Sequence, residues 1–390
     1  MTVTSQQLRR VLTALKTGSG AGQNGHVHLA DIGGGLAAMI HHPKRHRTSG
    51  VAWIGQPTTI DTTYPFQIGL LSRWLQHATT PDSELSLVEP VGDTRDAKLH
   101  TSTAGGGWVM SDTDRIPEEK HPDPPAGGFS VDIDLLVAVS AAAGGPDRPV
   151  LHGVHLERDN GVLHVEATDS YRLHHATTGT PSDWHDPTTG PWVVPQPLIN
   201  RLARFAGLDW QITDTGTGSV IAWTSDGDVT WRFATDPAIK NTGYPKVRQL
   251  MDVATRPQRT TTVAASDIDR IIRWMTVLPA NTAGRPPICL NLIIDGDDSP
   301  RLVVSDSANR ISPMAVPTGS VATHTVDDPD SAVRNWFNLG YTLDALRYVN
   351  DGSDFIEIGW MADKSLASTF RTAGRSALLM PVRYGKDEQP

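Results

Sequence analysis

The feature of this sequence that most constrains its fold is an internal repeat between the middle and last thirds. The tripeptide Thr168-Asp169-Ser170 returns as Ser305-Asp306-Ser307, 137 positions later, and two other landmark pairs keep that spacing. A later pair, Arg204-Phe205 and Arg347-Tyr348, lies 143 positions apart, which indicates a short insertion in an intervening loop. Self-similarity at a fixed period is typical of chains that are built from copies of one supersecondary unit.

The same order of elements is predicted in each third of the chain. Apolar residues at helical spacing predict two helices per third, and a strand follows each second helix. Segments rich in Pro, Gly and charge, at 118–128 and near 254–258, are typical of linkers. The 390 residues are therefore expected to divide into three α+β domains, at 1–126, 127–256 and 257–390. The six helices are expected at 5–17, 66–78, 131–143, 196–206, 266–278 and 340–350.

A short stretch in the middle third carries the clearest recognition chemistry. The residues from Val165 to Thr168 alternate as in a strand, and the next five, through Leu173, form a turn with hydroxyl, aromatic, guanidinium and leucine side chains. One interpretation is a binding site. The other is that Thr168 and Asp169 only close a turn and that Arg172 is a solvated charge. These residues alone leave both interpretations open.

Two further motifs follow this A-T-D-S-Y-R-L stretch. A Tyr-Pro-x-x-Arg element, Tyr244 to Arg248, precedes the second linker, and the sequence Leu-Leu-Met-Pro-Val-Arg, Leu378 to Arg383, lies close to the last residue. The three motifs resemble, in the same order, motifs of the bacterial DNA polymerase III β subunit, the sliding clamp. The resemblance covers nearly the whole chain and is firmest in the middle and last thirds.

This resemblance implies three repeated clamp domains, each with two helices packed on antiparallel sheets, that assemble into a ring as a head-to-tail homodimer with no catalytic residues. It implies a processivity factor that encircles duplex DNA without sequence preference, is handled by a clamp loader, and tethers DNA polymerase and other proteins with a clamp-binding motif. The partner motif, a Gln followed by an aliphatic and aromatic cluster, is expected to bury its side chains against Leu173, Leu250, Leu379 and Met380. The whole implied pocket comprises Leu151, Thr168, Ser170, Tyr171, Arg172, Leu173, Pro245, Leu250, Leu378, Leu379, Met380, Pro381, Val382 and Arg383.

The sequence also departs from the family pattern. Ser170-Tyr171 stands where Gly-His is usual, Gln249 replaces an arginine, and Pro149-Val150 stands where the family has tandem tyrosines. These departures leave open the partner preference and a DNA contact on the 149–150 loop. The last third has Ala308-Asn309-Arg310 at the position of Tyr171-Arg172-Leu173, so one pocket per chain is expected.

The charge distribution fits a ring that is threaded by DNA. The whole chain carries −9, but the six predicted helices hold nine Lys and Arg against five Asp and Glu, which leaves −13 for the rest. A positive helical surface inside a negative exterior would hold phosphates weakly, as sliding requires. The alternative is that exposed helix faces carry Arg for solubility. The side chains expected to face DNA are Arg9, Arg10, Lys16, Arg73, Arg201, Arg204, Arg270 and Arg273.

The resemblance places the dimer contact at one strand and one helix end. The strand supplies Trp108 and Met110, and the helix end supplies Val277 and Leu278. The competing interpretation assigns all four to domain cores. On the first interpretation, Trp108→Asp or Leu278→Asp would give folded monomers.

Other classes of function have little support in the sequence. The single cysteine, Cys289, lies in an apolar run and is predicted to be a packed strand thiol. The sequence lacks a spanning apolar run or a recognisable leader, so a cytoplasmic location is expected. It also lacks the common hydrolase and phosphate-loop motifs, and no cofactor or metal is expected. A clamp-like paralogue that sequesters partners without encircling DNA, and a metal-dependent nucleotide hydrolase, stay as alternatives.

Overall fold

A computed structural model describes most of the chain. The described residues are 3–19, 25–33, 35–40, 48–90, 96–101, 107–111, 128–179, 192–205, 207–214, 220–235, 243–254, 257, 259–278, 288–293, 300–306, 311–319, 321–323, 333–361 and 367–382. Nearly all of the predicted first linker, 118–128, and the side chain of Lys16 lie outside them.

One order of elements occurs three times along the chain, and we refer to the three copies as the first, middle and last repeats. The first repeat comprises β1 (Val3–Thr4), α1 (Ser5–Ser19), β2 (His26–Asp31), β3 (Leu36–Ile40), β4 (Thr48–Ile54), β5 (Tyr64–Gln67), α2 (Ile68–Ala78), β6 (Glu84–Val88), β7 (Lys98–Thr101) and β8 (Trp108–Met110). The middle repeat comprises β9 (Phe129–Val131), α3 (Ile133–Ser140), β10 (Gly153–Asp159), β11 (Val162–Thr168), β12 (Arg172–Gly179), β13 (Trp192–Pro195), α4 (Gln196–Leu202), β14 (Trp210–Asp214), β15 (Val220–Asp226) and β16 (Val229–Thr235).

The last repeat follows the helix α5 (Val247–Ala254) and contains one additional short strand, β21. It comprises β17 (Arg259–Ala264), α6 (Ala265–Thr276), β18 (Ile288–Ile293), β19 (Arg301–Asp306), β20 (Met314–Pro317), β21 (Val321–Thr323), β22 (Val333–Phe337), α7 (Leu339–Val349), β23 (Phe355–Trp360), β24 (Ser368–Arg371) and β25 (Arg375–Leu379). The repeat that the residue spacing predicted is therefore present in the described elements.

The chain forms two compact units. The first unit contains residues 1–134, 181–189 and 197–240, and the second contains 135–180, 190–196 and 241–390. The middle repeat thus contributes β9 and β14–β16 to the first unit and β10–β13 to the second. The division of the chain into three domains stays a prediction.

The first unit is built on two antiparallel sheets. One has the order β1-β6-β7-β8, and the other has the order β5-β2-β3-β4-β16-β15-β14-β9. The larger sheet joins the first repeat to the middle one through β4 and β16, which pair over seven residues from Thr48↔Thr235 to Ile54↔Val229. Its fully buried aromatic side chains, Trp53, Trp210, Trp231 and Phe233, supply a large apolar area for the core.

The second unit is built in the same way. One sheet has the order β20-β19-β18-β22, and the other has the order β13-β10-β11-β12-β25-β24-β23-β17-β21. Here β12 of the middle repeat pairs with β25 of the last repeat, from Arg172↔Leu379 to Ala176↔Arg375. Phe337, Phe370 and Trp360 are buried in this unit, and Cys289 is buried in β18 as predicted.

Two local predictions differ from the structure. The helices predicted at 131–143 and 196–206 are shorter, because α3 ends at Ser140 and α4 ends at Leu202. The sequence analysis did not predict α5, which lies just before the linker at 254–258. The helix forms where Val247 and Met251, one turn apart, can pack against buried residues of the second unit. None of the described helices is long and apolar enough to cross a membrane.

Candidate functional site

The stretch between β11 and β12 is a closed turn. The Thr168 hydroxyl donates to the Arg172 carbonyl oxygen at 2.6 Å, and the Ser170 amide donates to the Thr168 hydroxyl at 3.1 Å. The Asp169 carboxylate accepts from the Tyr171 amide at 2.9 Å and from the Arg172 amide at 3.1 Å. Thr168 and Asp169 therefore close the turn, as one of the two interpretations of the sequence held.

The backbone of this turn is strained at Ser170. Its φ of 80° lies in the left-handed region, where a residue with a Cβ atom is disfavoured. Ser170 occupies the position at which glycine is usual in the family that the sequence resembles. The Arg148 guanidinium supports the turn from outside, because it donates to the Asp169 carbonyl oxygen at 3.1 Å and lies 3.3 Å from the Ser170 hydroxyl.

Arg172 is held inside the second unit rather than solvated. Its Nε donates to Asp169 at 3.0 Å and its Nη1 donates to Asp344 of α7. Its guanidinium also lies 4.3 Å from the ring centroid of Tyr341, and only 11% of the side chain is exposed. Burial, followed by the Asp169 charge, raises the pKa of the Tyr341 hydroxyl. Arg172 therefore fixes the turn on α7, and the alternative interpretation of it as a solvated charge is wrong.

The C-terminal motif lies directly against this turn. Leu378 and Leu379 pair with Leu173 and Arg172 in the β12–β25 ladder. The Met380 amide then donates to the Tyr171 carbonyl oxygen at 2.9 Å. Two residues later, the Val382 amide donates to the Trp336 carbonyl oxygen at 2.7 Å. Two of the three predicted motifs are thus adjacent in space, whereas Arg383 lies outside the described residues.

The third motif completes a small apolar cluster. Leu173, Val247 and Leu378 are buried together, and Tyr244, Met251 and Ala367 pack against them. The Val247 amide donates to the carbonyl oxygen of the exposed Pro245 at 2.8 Å, which sets the start of α5. The A-T-D-S-Y-R-L turn, the Tyr-Pro element and Leu378 of the C-terminal motif therefore meet around one cluster in the second unit.

The predicted pocket residues include buried and exposed apolar side chains. Leu151, Leu173, Leu378 and Leu379 are each less than 10% exposed. The exposed apolar area comes instead from Tyr171 at 56%, Leu250 at 58%, Met380 at 40% and Val382 at 39%. We call these four side chains the turn–tail surface. Leu173 and Leu379 were expected to contact a partner directly, but both side chains are nearly fully buried.

Sequence reasoning missed several residues that build this site. Arg148, Tyr341 and Asp344 hold the turn, and Met251 packs in the cluster. Arg148, Tyr341 and Asp344 each lie at least 20 positions from the turn in the sequence, so no local pattern predicts their roles. Met251 was detectable in principle, since its spacing of four from Val247 is helical.

The sheet joints between repeats show a consistent pattern. The fourth strand of the first repeat, β4, pairs with the last strand of the middle repeat, β16, and β12 pairs with β25 in the same way. By this pattern β20, the equivalent strand of the last repeat, would pair with a strand equivalent to β8. Within the described residues, β20 and β8 each stand at the end of a sheet.

This architecture is shared by solved structures. The chain is similar to the DNA polymerase sliding clamp of Bacillus subtilis, with a TM-score of 0.70 and 15% identity over 98% of this chain and 99% of that one. The chain has the sliding-clamp fold. The DNA polymerase III subunit beta of Pseudomonas aeruginosa gives a TM-score of 0.69 at 15% identity, with the same coverage.

A Helicobacter pylori beta clamp, solved bound to a DNA ligase peptide, also matches with a TM-score of 0.69 and 15% identity, covering 98% of this chain and 99% of that one. No protein-family model matches the sequence, and no curated protein matches it.

The expected dimer residues occupy different environments in this clamp fold. Trp108 is 54% exposed on the edge strand β8 and Met110 is 36% exposed, while the Lys98 ammonium group lies 5.2 Å from the Trp108 ring. Val277, just after α6, is 71% exposed, but Leu278 is only 4% exposed. The expectation that Leu278→Asp leaves folding intact is therefore wrong, because the substitution would place a charge in the core.

The cations expected to face DNA are also not equivalent. Arg201 is only 6% exposed, and its guanidinium lies 5.0 Å from the Phe233 ring centroid. Burial, followed by the Arg204 charge, lowers its pKa to about 10. Arg201 therefore packs in the first unit and has little surface to offer to a phosphate.

The other described cations keep more exposure. Arg9 donates to the carbonyl oxygens of Leu75 and Thr79, so it holds α1 on α2. Arg10 and Arg270 form ion pairs with Asp226 and Asp267. The remaining three cations, Arg73, Arg204 and Arg273, have exposed side chains.

Proposed function

We propose that this protein is a member of the DNA polymerase III β subunit family and acts as a processivity factor without catalytic activity of its own. Two chains of three domains each close head to tail into a ring that encircles duplex DNA. The turn–tail surface tethers a polymerase and other replication proteins to that ring. The fold of this chain, which is similar to a solved sliding clamp over 98% of its length, supports this role.

The pattern of sheet joints is the single observation that carries the proposal. Each of the two joints within the chain pairs a fourth strand with the last strand of the next repeat. A third joint of this kind can form only if β20 of one copy pairs with β8 of another. Two such head-to-tail joints close two chains into a ring of six repeats, in which neither β8 nor β20 keeps an open edge.

The backbone of β8 is suited to such a joint. The Ser111 amide donates to the Ala97 carbonyl oxygen at 2.9 Å, and the Thr101 amide donates to the Gly107 carbonyl oxygen at 3.4 Å. The backbone N–H and C=O groups of the odd-numbered residues in and beside β8 therefore point towards β7. Hydrogen-bond direction alternates along a strand, so Trp108 and Met110 direct their backbone groups to the outer edge. Their side chains, together with Val277, add an exposed apolar area at the two proposed contact sites.

The assembly is tested by light scattering. We expect a dimer of about 84 kDa from the 42.2 kDa chain. Met110→Pro removes an outward N–H and should give monomers, whereas Met110→Ala keeps that N–H and should weaken the dimer less. Trp108→Asp should also give monomers, because it places an unpaired charge in the contact.

The matched control is Phe355→Asp, which changes a side chain that is 60% exposed beside the start of α6 rather than its end. This variant should remain dimeric. Dimers in both Met110→Pro and Trp108→Asp would contradict the proposed joint.

The topological role is tested on circular DNA. The protein, placed on a nicked circle by a clamp loader, should stay on the circle at high salt and leave when the circle is cut. Binding to short linear duplex should be weak, independent of sequence and steeply reduced by salt. Equal retention on cut and intact circles would indicate ordinary surface binding. A dimer that binds partner peptides but is never retained on a circle would instead sequester partners.

A further inference from the structure

A cluster of histidines surrounds one buried glutamate in the second unit, next to Tyr244 of the apolar cluster. Glu166 of β11 pairs across the sheet with His155 of β10 on one side and His175 of β12 on the other. His164 lies two residues before Glu166 on β11, so strand alternation places it on the same face. One face of three adjacent strands therefore carries three imidazoles and one carboxylate.

The atoms of this cluster are close enough to share an ion. His164 Nδ1 lies 3.1 Å from His175 Nε2, and His175 Nε2 lies 4.0 Å from Glu166 Oε1. One ligand atom from each of His164, Glu166 and His175 lies within 4.8 Å of the other two. Tetrahedral zinc with bonds of about 2.0–2.1 Å holds its ligand atoms roughly 3.4 Å apart, so small side-chain shifts suffice.

A supporting residue orients the carboxylate from behind. His155 Nδ1 lies 3.1 Å from Glu166 Oε2, the oxygen other than the one that faces His175. The His155 ring is stacked on Tyr244 with centroids 4.2 Å apart and planes within 6°. Glu166 is 1% exposed and His155 is 4% exposed, so this support is rigid. Such outer hydrogen bonds are what fixes a ligating side chain in metal sites.

We propose that His164, His175 and Glu166 bind a divalent transition-metal ion, with zinc the best match. Two imidazoles and one carboxylate are ligands that zinc accepts, and a water molecule would complete the four-coordinate shell. Without an ion, a hydrogen bond between the two rings accounts for the distance between His164 and His175. Zinc binding at these residues does not require the proposed clamp function.

Zinc binding by the full-length protein tests the proposal. The protein is stripped with a chelator, its secondary structure is checked by circular dichroism, and zinc is titrated by calorimetry. We expect one zinc per chain. His164→Gln and His175→Gln should each weaken binding by about 100-fold or more, because each removes one of only three protein ligands. His152→Gln changes a half-buried histidine outside the cluster and should bind like the unaltered protein.

Cobalt(II) gives a second readout that a merely structural role would not affect. The unaltered protein should show the visible absorption of tetrahedral cobalt, and His164→Gln should lose it. His155→Gln should keep the spectrum and weaken zinc binding by roughly 10- to 100-fold, as expected for a supporting residue. Absence of stoichiometric zinc, or equal zinc affinity in His164→Gln and His152→Gln, would overturn the site.

Discussion

The two joints within the chain have the same antiparallel geometry and different surroundings. The β4–β16 joint pairs seven residues in the first unit, and the β12–β25 joint pairs five in the second. Within the described residues, only the second joint is flanked by a closed turn, an aromatic-proline element and an apolar C-terminal motif that meet around one cluster. A repeated architectural contact thus becomes a candidate binding site through the side chains and segments at its ends.

Removing the chain end should have the largest effect on this difference. A chain that stops at Leu379 keeps the β12–β25 ladder but loses the exposed side chains of Met380 and Val382. Burial of two apolar side chains of a partner peptide at this surface is worth about 3 to 6 kcal/mol before ordering costs, so peptide affinity should fall by more than about 100-fold. Calorimetry with a partner peptide measures the loss. Light scattering should still show the dimer, since neither β8 nor β20 is altered.

A pair of matched substitutions tests whether the peptide binds at the turn–tail surface. Leu250→Ala removes a side chain that is 58% exposed on α5 and should also weaken peptide binding. Leu70→Ala removes a side chain that is 45% exposed on α2 in the first unit and should not. Unchanged peptide affinity in the truncated chain would mean that the turn–tail surface is not the binding site.

Arg172→Ala should destabilise the second joint by about 2 to 3 kcal/mol, because it removes charge-assisted hydrogen bonds from a largely buried guanidinium. Protection of the β12 amides from hydrogen exchange should fall, while that of β4 and β16 stays unchanged. Arg158→Ala, at an exposed position on β10, should leave both joints as they are. Equal loss of protection in both joints would show that Arg172 supports the whole fold rather than the β12–β25 joint alone.

Acid should weaken the second joint more than the first. His174 of β12 is stacked on Tyr348 at 4.2 Å, and burial lowers its pKa to about 3. Because its folded pKa lies below the ordinary value, its contribution to stability is complete above pH 6.5 and is lost as the pH falls. The loss at pH 5 should be about 2 kcal/mol. The strands β4 and β16 contain no histidine.

Hydrogen exchange at pH 7 and pH 5, corrected for the intrinsic rates, measures this difference. Protection factors should fall in β12 and β25 and hold in β4 and β16. His174→Gln should remove most of the difference. A similar fall in both joints, or an unchanged response in His174→Gln, would assign the acid sensitivity to other groups.

The smallest expected effect concerns the turn itself. Ser170→Gly relieves a φ of 80° and should stabilise the second unit by about 0.5 to 1 kcal/mol, reduced by the lost contact with Arg148. Asn160→Gly is the control, because Asn tolerates its φ of 50° better and should gain less. Thermal unfolding measures both. A loss of stability in Ser170→Gly would show that the hydroxyl contact outweighs the strain.

The sequence by itself determined the repeat, most helices and the three motifs of the candidate site. These are local patterns, since amphipathic spacing, turn residues and residue offsets can be recognised without knowing which segments meet. It also offered turn closure by Thr168 and Asp169 as one of two open interpretations, because Asx and Ser/Thr turns involve neighbours in sequence.

Only the tertiary structure decided which side chains remain at the surface. Four residues that the sequence analysis expected to contact DNA, a second chain or a partner peptide are nearly fully buried: Arg201, Leu278, Leu173 and Leu379. The same holds for Arg172, whose partner Asp344 is 172 positions away, and for the histidines that three strands bring around Glu166. Burial and partner choice depend on contacts between distant segments, and the energy of those contacts is not encoded in any local spacing.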